Sequence, residues 1–369
     1  MAQSYSNSGG TGQRYHLILV QSNVNWGSGG TKHPAYLVNT PTNVIWFNDS
    51  GHAVSGYYIT FDFGSARIVD EAKWYQDNST AQGVWKWQGS NDDSSYTDIG
   101  SSFTLAGATT QTQTQLNGNT TPYRYYRLLG VSGNVSDSPF TKGIEFQIDA
   151  IDAAVPDYGN ADGTGDRTAT ITVTQSQTSG HGDLIFGRSG FQDPTLNLFC
   201  DGINRVDTSG GGALEFESLH LAVASKWIQW QFSSPRVIDE LRWHQDTTDS
   251  YATWKLQGSN DGVSFADIGT TDTIGGDYNN NLRRQYNVSS NSVFMCQSTF
   301  IGAHGNTTGY TYYRLTGVSG NANVNPFLYE VTFRIATGSP PASGGLFRPA
   351  GLAGLGSGGP FFADPLGIL

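Results

Sequence analysis

Cysteine is nearly absent. Only Cys200 and Cys296 occur in 369 residues, so no disulfide framework holds the chain together. Basic residues number 20 against 31 acidic ones, a formal net charge of -11. That balance excludes the positive surface a nucleic acid requires. No stretch of 18 apolar residues is present, which excludes a membrane-inserted helix. The opening Met1-Ala-Gln-Ser-Tyr-Ser-Asn-Ser-Gly-Gly10 lacks the basic and apolar parts of a signal peptide, so the chain is expected to be made in the cytoplasm. Histidine is scarce, at 7, and the His-Glu-x-x-His, Gly-x-Ser-x-Gly and P-loop patterns are missing. The expectation is a protein without catalytic activity.

What the chain does contain is glycine, 47 residues, and aromatics at 12 %. Aromatic residues favour strands, and Gly, Asn, Asp and Ser favour the turns between them. An all-β protein follows. Alternation of large apolar residues, as in Tyr58-Ile-Thr-Phe-Asp-Phe63 and Trp227-Ile-Gln-Trp-Gln-Phe232, supports strands.

The chain is also duplicated. Arg67-Ile-Val-Asp-Glu-Ala-Lys-Trp-Tyr-Gln-Asp77 matches Arg236-Val-Ile-Asp-Glu-Leu-Arg-Trp-His-Gln-Asp246, and Trp85-Lys-Trp-Gln-Gly-Ser-Asn-Asp92 matches Trp254-Lys-Leu-Gln-Gly-Ser-Asn-Asp261, both 169 positions apart. Tyr126-Arg-Leu-Leu-Gly-Val-Ser-Gly-Asn134 matches Tyr313-Arg-Leu-Thr-Gly-Val-Ser-Gly-Asn321 at 187, so the second copy carries 18 extra residues between these blocks. Leu17–Ser22 resembles Ile171–Ser176 at 154, which implies a further insertion before Lys226. The organisation expected is an N-terminal segment (1–11), domain one (12–152), a short polar linker (153–165), domain two (166–337) and a Gly- and Pro-rich tail (338–369).

Each copy resembles the discoidin, or coagulation-factor type C, family of galactose-binding-like domains. The likeness rests on Phe-Asp-Phe-Gly (61–64), Trp-Lys-x-Gln-Gly-Ser-Asn-Asp, Asp-Ile-Gly (98–100 and 267–269), Tyr-Tyr-Arg-Leu (125–128 and 312–315) and Ile-Glu-Phe (144–146) or Val-Thr-Phe (331–333). The resemblance implies two tandem antiparallel jelly-roll β-sandwiches with an irregular tail, ligand contacts made by loops at one end, and calcium as the one cofactor left open. The calcium-like run Asn160-Ala-Asp-Gly-Thr-Gly-Asp166 has Tyr158 and Ala169 where an EF-hand needs acidic ligands, so it reads as linker.

The duplication separates scaffold from site. Aromatics repeated at equal offset, such as Trp74 and Trp243, Trp85 and Trp254, or Tyr126 and Tyr313, are expected in the core. Trp26 and Trp46 have no such partner and lie in loop-like segments with His33, Asn48 and His52. An aromatic face for a sugar ring plus amide and imidazole groups for its hydroxyls would make a carbohydrate site of these five. Packing of Trp46 under the barrel end is the competing reading. His181, Phe191 and His220 are the weaker counterparts in domain two.

The tail carries Leu346, Phe347, Leu352, Leu355, Phe361, Phe362 and Leu366 without any period that would bury them. Exposed apolar residues of this kind mark a partner interface. With no signal peptide, the expectation is a virion-type component of a bacteriophage, anchored through 338–369, homo-oligomeric within its assembly, bracing its neighbours or binding host-surface glycan. A secreted, extracellular bacterial carbohydrate-binding or adhesion protein is the alternative.

Overall fold

The computed structural model describes residues 3–336 apart from 8, 13, 15–16, 29–33, 39–44, 107–109, 114–115, 117, 150–155, 161, 177–185, 189–195, 203–213, 217–220, 246–251, 275–281, 285–296, 303–305 and 323–327. Among the described residues domain one has ten strands: β1 (Leu19–Ser22), β2 (Trp26–Ser28), β3 (Ile45–Phe47), β4 (Tyr58–Arg67), β5 (Val69–Gln76), β6 (Val84–Ser90), β7 (Thr97–Thr104), β8 (Thr110–Gln113), β9 (Tyr123–Ser132) and β10 (Thr141–Ile148). They form two sheets of order β1-β4-β9-β6-β7 and β2-β3-β10-β5-β8. Domain two adds β11 (Ile171–Gln175), β12 (Phe186–Arg188), β13 (Leu214–Phe216), β14 (Leu221–Ala222), β15 (Trp227–Gln245), β16 (Thr253–Ser259), β17 (Ala266–Thr273), β18 (Leu282–Arg284), β19 (Gln297–Gly302), β20 (Gly309–Ser319), β21 (Asn321–Ala322) and β22 (Leu328–Ile335). The expected all-β tandem of antiparallel sandwiches is what forms. No helix among the described residues is long and apolar enough to cross a membrane.

Period-2 patterning explains the layers. Along β5, Val69, Ala72, Trp74 and Gln76 are buried while Glu71, Lys73 and Tyr75 face outward. Tryptophans fill the two cores: Trp74, Trp85 and Trp87 in domain one and Trp230, Trp243 and Trp254 in domain two are fully buried. Edge-to-face pairs recur in register, Phe63 with Phe146 at 5.0 Å and Phe232 with Phe333 at 5.3 Å. A tyrosine pins each sandwich. Tyr126 Oη donates to Arg67 O at 2.7 Å and accepts from Val69 N, and Tyr313 Oη repeats this with Arg236 O at 2.6 Å and Ile238 N.

Domain two differs by fusion and addition. β15 runs through both sheets, covering the roles of β4 and β5, with a register shift between Gln231 and Arg236. β19 pairs with it as β8 pairs with β5, and β18 extends that sheet. Thus the insertion in the second copy adds a strand.

Two expectations are corrected. β1 pairs Leu19 with Asp62 and β11 pairs Thr172 with Gln231, so the first strands correspond at 153 positions, not 154. A one-residue slip exchanges the two faces of a strand, and the structure buries Ile18 and Val20 in one core at the positions where Ile171 and Val173 are buried in the other. The same offset holds further back: Tyr5-x-Asn7-x-x-Gly10-Thr11-Gly12-x-Arg14 repeats as Tyr158-x-Asn160-x-x-Gly163-Thr164-Gly165-x-Arg167. The segment expected to be a linker is therefore a built part of domain two. Arg167 is buried and donates to the carbonyls of Asp162, Gly163, Gly165 and Val331, while Arg14 donates to those of Gly9, Gly10, Gly12 and Ile144. The carbonyls that a calcium-loop reading would need are turned onto a guanidinium.

The domains meet sheet to sheet. Side chains join β4 and β9 to β15 and β22, and β18 lies against β1. Arg124 clasps Asp62 at 2.8 and 3.0 Å and Glu240 at 3.1 Å, and Arg334 pairs with Asp239 at 2.7 Å and donates to Gly64 O. Arg67 pairs with Asp157, and Arg242 Nη1 donates to Leu17 O at 3.1 Å. Burial alone would raise the Glu240 carboxyl, but Arg124, Arg334 and Arg242 together pull it below its ordinary range.

Candidate functional site

Where β3 ends, the structure places Trp46 half-buried, Asn48 exposed and His52 exposed in the turn that follows, whereas Trp26 is buried. On β2 and β3, Trp26 pairs with Phe47, Gly27 with Trp46 and Ser28 with Ile45. Trp26 is fully buried, packs on Phe47 at 4.8 Å and donates from Nε1 to Ser22 Oγ at 3.1 Å. Its ring has no free face for a ligand, which corrects the expectation. Domain two explains why. There β12 and β13 pair Phe186 with Phe216, Gly187 with Glu215 and Arg188 with Leu214, so Phe186 stands at the position of Trp26. Trp26 is scaffold whose partner is a phenylalanine.

Trp46 is different, since its register counterpart is Glu215. It points outward between the buried Ile45 and Phe47 and stays half-buried. Gly27 is what lets it lie down: a Cβ there would collide with the indole ring. Phe140, 40 % exposed, meets Trp46 edge-on at 5.3 Å. Phe140 is the member of this surface that sequence reading missed.

Asn48 follows two residues after Trp46 on the same exposed side. The turn beyond is tied down by Asp49, which accepts from Asn25 Nδ2 at 3.0 Å and from Tyr57 Oη at 2.7 Å. Burial, then the bond to Asp49, pushes the Tyr57 hydroxyl up to about 12. His52 Nδ1 lies 3.9 Å from Asp49 with its side chain 68 % exposed. Its backbone is fixed by Val135, through His52 O and Gly51 N. The chain from Trp46 to His52 thus presents a half-exposed indole paired with Phe140, an exposed amide and an exposed imidazole.

Other candidates fall elsewhere. His33, His181, Phe191, His220, Cys296 and the tail residues Leu346, Phe347, Leu352, Leu355, Phe361, Phe362 and Leu366 lie outside the described residues. Cys200 is a buried free thiol, pushed up to about 12 by burial. Among the described residues no group of three metal-ligating side chains occurs. A groove of about 530 Å³ lies over β6, lined by Lys86, Asp98, Leu129 and Val131. It has no aromatic platform, and its charges engage each other at 2.8 Å.

No protein-family model and no curated protein matches the chain. Among solved structures it is similar to an allantoicase, with a TM-score of 0.29 and 9 % identity over 89 % of this chain and 93 % of that one. It is similar to a fucolectin from striped bass (Morone saxatilis) serum, at 0.29 and 10 % over 87 % and 97 %. A third is the CBM32 of AlyQ in complex with 4,5-unsaturated mannuronic acid, at 0.26 and 23 % over 34 % and 92 %. At this level of similarity nothing about ligand or activity passes from those proteins to this one.

Proposed function

We propose that the chain is a non-enzymatic glycan-binding protein whose sugar site is the Trp46 end of domain one. The observation that carries this is the exchange of Trp46 for Glu215 between two copies of otherwise equal register. A fold that needed an aromatic there would keep one in both. The indole lies flat over Gly27, and a flat apolar ring suits the C–H face of a pyranose. Asn48 offers an amide donor and acceptor, and His52 an imidazole, for ring hydroxyls. In this reading the apolar segment 338–369 anchors the chain to a larger assembly, so its removal abolishes incorporation and leaves glycan binding intact.

The test is a glycan array probed with the full chain and with Trp46→Ala. Binding is expected to at least one glycan and to fall tenfold or more in the variant, about 1.4 kcal/mol. An array without a hit, or one unchanged by Trp46→Ala, would overturn the proposal.

A further inference from the structure

Domain two grips domain one with a device that domain one also carries. In domain two, Tyr158 packs against Gly64 of domain one, its hydroxyl donates to Glu240 at 2.5 Å, and the Arg242 guanidinium stacks over its ring at 3.7 Å. At the equivalent positions of domain one, Tyr5 donates to Glu71 and the Lys73 ammonium sits 3.9 Å from the Tyr5 ring centroid. Both tyrosines begin the repeated Tyr-x-Asn-x-x-Gly-Thr-Gly-x-Arg segment. What differs is the cover.

Glu240 and Arg242 are fully buried beneath domain one, and Arg124 and Arg334 balance Glu240 and Asp239. Tyr5, Asp70, Glu71 and Lys73 are only half-buried. Gln147 takes the place of Arg334, so Asp70, Glu71, Glu145 and Asp149 share this face with Lys73. The Asp70 carboxyl is held above its ordinary range, by burial first and then by Glu71 and Asp149. The face is an acidic copy of an occupied one, short of the guanidinium that its twin receives from across an interface.

We propose that Tyr5, Asp70, Glu71 and Lys73 form a docking socket for a β-sandwich domain of another polypeptide, whose sheet presents an arginine and an aspartate as Arg124 and Asp62 do here. A second copy of this chain does not fit. The corresponding face of its domain two carries Gln231, Ser233 and Thr311 where domain one has Asp62, Gly64 and Arg124.

The test supplies the missing residues on the full chain with Gln231→Asp, Ser233→Gly and Thr311→Arg, the glycine because a Cβ at the Gly64 position collides with the tyrosine ring. A head-to-tail contact of this kind is heterologous and does not close on itself. Sedimentation velocity should then show a mean mass rising from the monomer with concentration, and a fourth substitution, Glu71→Lys, should return it to the monomer. Where the variant fails to fold, the charge-reversed pair Glu71→Arg with Thr311→Glu in a Ser233→Gly background gives the same readout, expected to associate while either charge substitution alone in that background does not. A monomer at every concentration in a folded variant overturns the proposal. So does association that survives Glu71→Lys, or a wild-type chain that already self-associates through Glu71.

Discussion

Replacing Glu240 with glutamine removes a single negative charge at the junction of the domains, and its neighbours set the cost. Glu240 is fully buried and accepts from Arg124 Nη1 and Nη2 at 3.1 Å each and from Tyr158 Oη at 2.5 Å, with Arg334 at 3.3 Å and Arg242 at 3.9 Å. Asp62, Asp239 and Glu240 balance Arg124, Arg242 and Arg334, so the glutamine leaves one buried guanidinium uncompensated. Breaking a buried pair from one side costs about 3–5 kcal/mol. For a domain of this size each kcal/mol lowers Tm by roughly 2–4 °C, so calorimetry should show a fall on the order of 6–20 °C. Because each domain has its own core, the lost contact should also separate the unfolding of the two. A Glu240→Gln chain within about 1 kcal/mol of wild type, still unfolding in one transition, would refute the reasoning.

Four further outcomes follow. Trp26→Ala should cost about 3–5 kcal/mol in urea unfolding, as a buried aromatic does, whereas Trp46→Ala should cost well under half of that. Tyr126→Phe and Tyr313→Phe should each cost about 1–3 kcal/mol, since each strands a buried backbone N–H, of Val69 or Ile238, and a carbonyl. Glu240 has a folded value depressed below its ordinary one of about 4.5, so its stabilising effect is present above that pH and is lost only as pH falls through the depressed value. The change in stability between pH 7 and 5 should therefore carry no contribution from Glu240, whose effect is fully present there, and the loss should begin below about pH 4.5. Cys200, buried with its thiol pushed up to about 12, should resist a thiol reagent at pH 8 until the chain is unfolded.

The core is legible in the sequence because duplication and period-2 alternation act on the same residues: Trp74 and Trp243 share both an offset and a buried face. Trp26 is not, since its partner is a phenylalanine at a different offset, and only the pairing of β12 with β13 identifies it. The segment around Asp162 and Gly163 has the composition of a loop, and its purpose depends on where Arg167 points. Asp62, Arg124, Glu240 and Arg334 lie too far apart in the chain for any local pattern to join them. Within the candidate site, Trp46, Asn48 and His52 can be read from what the second copy does not repeat. Phe140 cannot, because the second copy has Phe327 at the equivalent position, and only the fold sets Phe140 beside Trp46.

A crystal structure of the full chain with the tightest glycan from the array tests the central claim most directly. The account predicts a sugar ring stacked on Trp46 beside Phe140, with hydroxyls on Asn48 and His52. A glycan seated in the groove between Lys86 and Val131, or anywhere on domain two alone, would contradict it.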